Sequence, residues 1–220
     1  MKKLLLLAWI ITLTIGAYGQ GIDPVTDGST HNKSKLEMAT KTIGLNYKLP
    51  KEYFATGEFY LKMPPANPTE LLRTVFGTRA SKWIHEDQEC ILFIDCAGTE
   101  TTIDKSVDKL PENVFSQIRN SLDMGSAFKE TTDEQMEELK KIITIWPSQK
   151  SKEIFNAQYV ITYPIEDKKA VYQDKYRHRM DLIMVKWGKK LTVSFLLTKK
   201  GYKHINKYIK DVEEAFRFED

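Results

Sequence analysis

The feature that most constrains the fold of this chain is a pair of predicted strands near its carboxyl end. A short turn that contains glycine joins them. Residues 176–187 and 190–198 flank Gly188 and Lys189, and a leading glycine favours a type II′ turn between antiparallel strands. In that register six apolar side chains pair on one face of the hairpin: Met180 with Leu197, Leu182 with Phe195, and Met184 with Val193. A slip of one residue would move them all to the other face, so the sequence predicts a hairpin with one buried face.

A helix is predicted directly after this hairpin. Beyond Gly201, apolar residues recur at steps of three and four, the period of a helix with one buried side: Tyr202, Ile205, Ile209, Val212 and Phe216. We expect this helix to lie across the apolar face of the hairpin. The opposite face mixes Arg179, Asp181 and Ser194 with apolar residues, and we expect it to be partly wet or covered by a half-apolar layer.

The preceding part of the chain alternates strand and helix patterns. Strands are predicted at residues 43–49, 58–63, 81–84, 90–97 and 154–165. Both faces of the segment 91–94 (ILFI) are apolar, which places this strand centrally with cover on two sides. Helices are predicted from Asn67 to about Gly77, over 110–124, and from Asp133 to the region of Pro147. The sequence therefore predicts an α+β fold, an antiparallel sheet with helices on both faces.

Three of these elements together resemble a known family. They are the early strand that runs into Pro50, the central strand 91–94, and the late hairpin with a terminal helix that ends at 215–218 (AFRF). This order resembles the fold of the PsbP extrinsic photosystem proteins, which a nuclear Ran-binding protein and several bacterial envelope proteins share. The resemblance implies an antiparallel sheet with helices on both faces, and many members bind partners without catalysis. The segment 155–165 is also similar to exported bacterial proteins that have no assigned role.

The amino terminus predicts export. Two lysines precede an apolar run over residues 4–15, and small residues at 17 and 19 fit a signal-peptidase site between Gly19 and Gln20. The run is about a dozen residues, shorter than the ~20 that a helix needs to cross a bilayer, which disfavours the alternative of a permanent anchor. We expect a signal peptide over 1–19, a flexible leader over 20–40 that ends in a short helical turn around Leu36 and Met38, and a single α+β domain over 41–220. The mature protein would be secreted or periplasmic.

The charge balance argues against two classes of partner. The full chain has 33 basic and 30 acidic residues, and cleavage removes Lys2 and Lys3, which leaves a net charge near +1. Nucleic-acid binders carry a basic stripe, and capture by anionic lipid needs clustered cations. We expect no nucleic-acid partner and no stable membrane anchor after cleavage.

No pattern of catalytic, cofactor-binding or metal-binding residues is complete. His85 and Glu86 begin the two-histidine zinc motif of metalloproteases, but Glu89 stands where the second histidine belongs. A disulfide between Cys90 and Cys96 is the alternative to two free thiols. The strand between them separates their α-carbons by ~20 Å, whereas a disulfide spans less than ~7 Å. We therefore expect two buried thiols.

The stretch 172–181 is rich in arginine and tyrosine, the residue types that anchor protein interfaces. It supplies the candidate partner-binding surface: Tyr172, Tyr176, Arg177, Arg179 and Asp181. The alternative is a solvated sheet face or an internal bridge between Arg179 and Asp181. Lysines at 199, 200, 203, 207 and 210 give the last helix a basic side, which we interpret as a solvated face because acidic residues lie close by.

These observations favour an exported, non-catalytic envelope protein that binds a protein partner or a small ligand. The alternative is a hydrolase whose site is assembled from dispersed residues. It requires a partnered histidine or carboxylate in a recess, and it would be ruled out if His85, His178 and His204 were all exposed and without partners.

Overall fold

The computed structural model describes residues 28–55, 81–98, 112–122, 124, 131–165 and 175–220. The helices in these ranges are α1 (Gly28–Thr42), α2 (Glu112–Ser121), α3 (Asp133–Ile142), α4 (Ser148–Phe155), α5 (Lys199–Lys203) and α6 (Ile205–Ala215). The strands are β1 (Leu45–Tyr47), β2 (Tyr53–Ala55), β3 (Ser81–His85), β4 (Cys90–Ala97), β5 (Thr144–Ile145), β6 (Tyr159–Ile165), β7 (His178–Lys186), β8 (Lys189–Leu197) and β9 (Phe216–Phe218).

Seven strands form one antiparallel sheet in the order β2-β3-β4-β8-β7-β6-β5, and β1 pairs with β9 in a separate antiparallel pair. The predicted hairpin of β3 and β4 is confirmed, and β4 lies near the middle of the sheet. Its residues Ile91 and Leu92 point to opposite faces and are both buried, as the apolar sequence predicts.

Hydrophobic cores cover both faces of the sheet. On one face Leu36 of α1, Phe155 of α4 and Val212 of α6 pack in one core with the apolar side of the β7–β8 hairpin. On the other face Ile118 of α2 and Leu139 of α3 pack in a second core. The α+β fold with helices on both faces is therefore confirmed, and α6 covers the hairpin face that the sequence predicts.

The turn of the β7–β8 hairpin lies one residue earlier than predicted. Lys186 pairs with Lys189, so Trp187 and Gly188 form the turn, with φ angles of 49° and 76°. Two consecutive positive φ angles define a type I′ turn, not the predicted type II′. Leu182 therefore faces Val193 instead of Phe195. Because side chains alternate with a period of two, this shift by two leaves the six apolar residues on the buried face.

The predicted terminal helix is two helices followed by a strand. The helix is interrupted at His204, between α5 and α6. Phe216 begins β9, where it pairs with Tyr47 of β1. Tyr202, placed by the sequence pattern on the buried side, is 39% exposed, whereas Tyr208 is buried. The apolar pattern continues through both segments, so it did not indicate the interruption at His204.

Three further segments differ from the prediction. The short helical turn predicted around Leu36 and Met38 is part of the longer helix α1, which begins at residue 28 and buries Leu36 in the core. The helix predicted from Asp133 to the region of Pro147 ends at Ile142, and the strand β5 follows it. The strand predicted over 154–165 begins only at Tyr159, because its first residues end α4. Asn156 stops that helix in the left-handed conformation, with a φ of 52°, which asparagine tolerates better than most residues.

Several predictions concern residues outside the described ranges. They are the signal peptide over 1–19, the strand over 58–63 and the helix that begins at Asn67. Within the described ranges, no helix has both the length and the apolar character needed to cross a membrane.

Candidate functional site

Two residues of the predicted partner-binding surface are buried together between the sheet and the α2–α3 layer. Arg179 donates to both carboxylate oxygens of Asp181, from Nε at 2.7 Å and from Nη2 at 2.6 Å. Arg179 is 4% exposed and Asp181 is 1% exposed. The internal Arg179–Asp181 bridge, which the sequence left as the alternative, is confirmed, and β7 turns this pair inward.

Neighbouring strands complete the bonds of this buried pair. Tyr163 of β6 lies opposite Asp181 and donates its hydroxyl to Oδ2 at 3.1 Å, and Arg179 Nη2 also contacts Ser194 Oγ of β8 at 3.3 Å. Burial, and after it the negative charge of Asp181, raise the pKa of Tyr163 well above its usual value. The phenol is thus a fixed donor, and the network holds the sheet together across β6, β7 and β8.

The other three residues of the predicted surface differ in their environment. Tyr172 lies outside the described residues. Tyr176 is buried, and its hydroxyl donates to the Gln88 carbonyl oxygen at 2.9 Å. Arg177 is exposed. Among the described residues of the predicted surface, Arg177 is therefore exposed, whereas the three others lie inside the protein.

A second cluster, missed by the sequence analysis, lies where the end of β3 meets α6. The His85 ring is 2% exposed and contacts two tyrosine rings edge to face, Tyr53 at 5.0 Å and Tyr208 at 5.3 Å between centroids. Tyr53 comes from β2, opposite His85 in the sheet, and Tyr208 comes from α6. We call Tyr53, His85, Asp87, Tyr208 and Asp211 the His85 cluster.

Asp87 is the hub of the His85 cluster. Its carboxylate accepts the Tyr208 hydroxyl at 2.9 Å and the Glu89 backbone N–H at 2.9 Å, and Lys207 Nζ lies 3.4 Å away. Burial acts to raise the pKa of Asp87, but the Glu89 N–H and the Tyr208 hydroxyl outweigh it, so the pKa is lowered. Asp87 is therefore a stable carboxylate that ties α6 to the turn between β3 and β4.

Asp87 also meets His85 through two mutually exclusive bonds. Its backbone N–H points to His85 Nδ1 at 3.2 Å, and its Oδ1 lies 2.9 Å from the same nitrogen. A nitrogen that accepts the N–H carries no proton, so the ion pair forms only when the ring is protonated. Either form keeps His85 bonded to Asp87.

The second carboxylate of the cluster, that of Asp211, also accepts a hydrogen bond from a tyrosine. Tyr53 donates its hydroxyl to Asp211 Oδ2 at 2.9 Å, which joins β2 to α6. Burial, and after it the neighbouring Cys90 and Asp211, raise the pKa of Tyr53 far above its usual value. Burial and the bond to Asp87 do the same for Tyr208. Both phenols are therefore protonated donors at any physiological pH.

Both thiols are free, and both are poor nucleophiles. Burial, and after it the charges of Asp87 and Asp211, raise the pKa of Cys90 well above its usual value. Burial, and after it Asp95, raise the pKa of Cys96 to about 12. The prediction of two buried thiols is confirmed for Cys90, whereas Cys96 is only half-buried. A thiol is reactive only as the thiolate, so neither is suited to attack a substrate.

Metal binding finds no support in the ranges the structure describes, where no group of three histidine, cysteine or acidic side chains could hold an ion. His85 has one carboxylate neighbour in Asp87, and its other ring contacts are tyrosines. Of the other three histidines, His31 lies in α1, His178 stacks on Tyr202, and His204 is exposed.

Sequence signals for the His85 cluster were weak. Tyr208 and Asp211 stand three apart on one helix, and Asp87 follows His85 by two residues in a turn. Nothing in these local spacings pairs residues 87 and 208, or 53 and 211, because each pair is joined only by the tertiary fold. Comparison with protein-family models, curated proteins and solved structures found no match to this chain.

Proposed function

We propose that this chain is an exported accessory protein that binds a protein partner and is not itself an enzyme. The resemblance to the PsbP family, whose members often bind without catalysis, is consistent with this proposal. The amino-terminal pattern of two lysines, an apolar run and small residues supports the extracytoplasmic location.

The observation that supports the non-catalytic part of the proposal is the mutual bonding of the tyrosine, aspartate and histidine side chains in the His85 cluster. Each tyrosine hydroxyl donates to a carboxylate, and His85 contacts Asp87 in either protonation state. Catalytic groups need a free lone pair or proton directed at a substrate. The groups of this cluster are directed at one another, and they fix α6 against the sheet.

Binding is tested by affinity capture with the tagged mature protein from an envelope extract of the producing organism, with mass spectrometry of the eluate. We expect one partner to be enriched over a heat-unfolded sample of the same protein and to co-elute with purified protein on gel filtration. Absence of such a partner, together with no thermal shift across a ligand panel, would contradict the proposal.

Export is tested separately by amino-terminal sequencing of the protein from a secreting host. We expect the mature chain to begin at Gln20. A chain that retains Met1 or the lysines at positions 2 and 3 would refute the proposed processing.

One observation favours the hydrolase alternative: His85 is buried and partnered by a carboxylate, so the arrangement that would have ruled it out is absent. Under this alternative, His85 would act as a general base oriented by Asp87. It predicts turnover of chromogenic esters, phosphomonoesters or glycosides that is lost in His85→Gln and retained in the matched His204→Gln control. We expect the wild-type protein to show no turnover above buffer.

A further inference from the structure

The fold brings two separate basic segments to the same end of the sheet. His178 of β7 pairs with Leu197 of β8, and the Arg177 N–H donates to the Leu197 carbonyl oxygen at 3.0 Å. Residues 175–178 therefore run beside the start of α5 (Lys199–Lys203). The sequence predicts different roles for the two segments: part of a partner-binding surface for 175–178 and a solvated face for the helix.

A stacked ring pair, of a half-buried histidine and an exposed tyrosine, joins the two segments. His178 and Tyr202 lie 4.6 Å apart between ring centroids, with an angle of 15° between their planes. Tyr202 is 39% exposed, although the helical pattern predicts it on the buried side. The stacking holds the tyrosine at the surface and limits its rotamers, so less entropy is lost when it contacts a partner.

Four exposed cations lie on the two segments that carry this ring pair. Lys175, Arg177, Lys199 and Lys203 are exposed, and we call these four residues with His178 and Tyr202 the basic patch. Positions 199, 202 and 203 lie on one side of α5, because residues three and four apart are neighbours on a helix. Among the described residues, neither Lys199 nor Lys203 has an acidic partner, whereas Lys200 pairs with Glu89 at 3.8 Å.

The patch stands on a rigid base. Gly201 packs so closely on the turn between β3 and β4 that a Cβ atom there would lie 2.2 Å from the Glu89 carbonyl oxygen. Thr198 donates its N–H to the same oxygen at 3.1 Å and its hydroxyl to the Glu89 carboxylate, and it accepts the Gly201 N–H at 3.0 Å. The helix that carries Lys199, Tyr202 and Lys203 is therefore fixed before any partner arrives.

We propose that the basic patch docks an acidic peptide segment of the protein partner. This inference rests on the proposed binding function and names the surface and the chemistry that it uses. Unpaired lysines attract carboxylates, and arginine and tyrosine are enriched in protein interfaces. A lipid surface fits less well, because the neighbouring lysines at 200 and 207 are already paired with Glu89 and Asp87, and Tyr202 is the one large apolar side chain of the patch.

The test measures binding of a fluorescein-labelled hexaglutamate peptide to the full mature protein by fluorescence anisotropy. A hexaglutamine peptide serves as the uncharged probe, and vesicles of phosphatidylglycerol serve as the lipid probe. We expect hexaglutamate alone to bind, with an affinity that falls as salt is added. Lys199→Gln/Lys203→Gln should weaken it about tenfold, and Tyr202→Ala should weaken it measurably.

The matched control is Lys140→Gln/Lys141→Gln, which removes the same charge from exposed positions on α3. Equal weakening by both double variants would show a net-charge effect and overturn the assignment, as would failure of hexaglutamate to bind. Vesicle binding that is lost in the patch variants would assign the surface to lipid instead. A partner captured equally well by wild type and patch variants would refute this surface while leaving the binding function intact.

Discussion

The hydroxyl of Tyr208 and the carboxylate of Asp87, 121 positions apart in the chain, meet at 2.9 Å and attach α6 to the turn between β3 and β4. Tyr53 and Asp211 make a second bond of the same kind, also at 2.9 Å, between β2 and α6. The carboxyl-terminal helix is thus held by polar bonds along one edge, in addition to the apolar contacts of Val212.

Tyr208→Phe should lower the free energy of unfolding by about 1–2 kcal/mol, because a bond to a charged acceptor is lost while the ring stays packed. Tyr53→Phe should cost a similar amount. The measurement is urea denaturation followed by circular dichroism. Tyr202→Phe is the control, since that hydroxyl has no hydrogen-bond partner within the described residues and stability should be unchanged. Equal stability of all three variants would contradict the role of these bonds.

Stability should depend on pH through Asp87. Because folding lowers the pKa of this carboxyl, its stabilisation is complete above the pKa of the unfolded chain and is lost as the pH falls through the folded value. The stability difference between wild type and Asp87→Asn should therefore shrink as the pH falls below the unfolded-state carboxyl pKa of about 4. Urea titrations across this range measure it.

The control for that titration is Glu137→Gln. A hydrogen bond from Lys140 also lowers the pKa of Glu137, but both side chains are more than half exposed, so solvent screens the interaction. We expect a much smaller change with pH for this variant. A stability difference for Asp87→Asn that grows toward acid would have the wrong sign and refute the assignment.

Breaking the buried Arg179–Asp181 bridge should be among the most costly polar changes in the protein. Asp181→Asn leaves a buried guanidinium without its counter-ion, and we expect a loss of about 3–5 kcal/mol. Arg179→Met/Asp181→Leu should cost less than Asp181→Asn, because it removes both charges together. Denaturant midpoints of the three proteins check the order. The exposed pair of Lys141 with Glu138 supplies the contrast, and Glu138→Gln should leave the midpoint unchanged.

Val212→Asp should lower the free energy of unfolding by about 3–5 kcal/mol, because Val212 is fully buried and the aspartate would lie in the seam between α6 and the sheet. Thermal unfolding measures the change. Asn206→Asp adds the same charge at an exposed position of the same helix and should leave the melting temperature nearly unchanged. If the Val212→Asp protein had the melting temperature of the wild type, the packing of α6 in the core would be contradicted.

Much of the fold follows from local patterns. The pattern of β7 and β8 predicts the six apolar side chains that face the core under α6, and the doubly apolar segment 91–94 predicts a central strand. Helix α3 begins at Asp133, as the sequence predicts, and the structure shows a capping box of Thr132 and Gln135 at its start. The pattern around Tyr202 failed because one period ran through two helices with different environments.

The candidate site was much harder to predict. The arginine and tyrosine content of 172–181 indicated a surface, but Arg179 and Asp181 satisfy each other inside the protein. Composition reports the types of side chain in a segment, whereas their burial depends on what the rest of the chain places over them. Here α2 and α3 cover that face.

By itself, the sequence determined which faces of the strands and helices are apolar. The reason is that side chains on one face recur every 2.0 residues in a strand and every 3.6 residues in a helix, so the order of residues assigns them to faces. It did not determine the hairpin register, since moving the pairing by two residues buries the same side chains. Tertiary contacts decided that register: the Trp187 N–H donates to Gln158 Oε1 at 2.7 Å, and Gly98 packs against the Gly188 carbonyl oxygen. The same reason applies to the His85 cluster and the basic patch, whose residues meet only after the sheet and its helices have assembled.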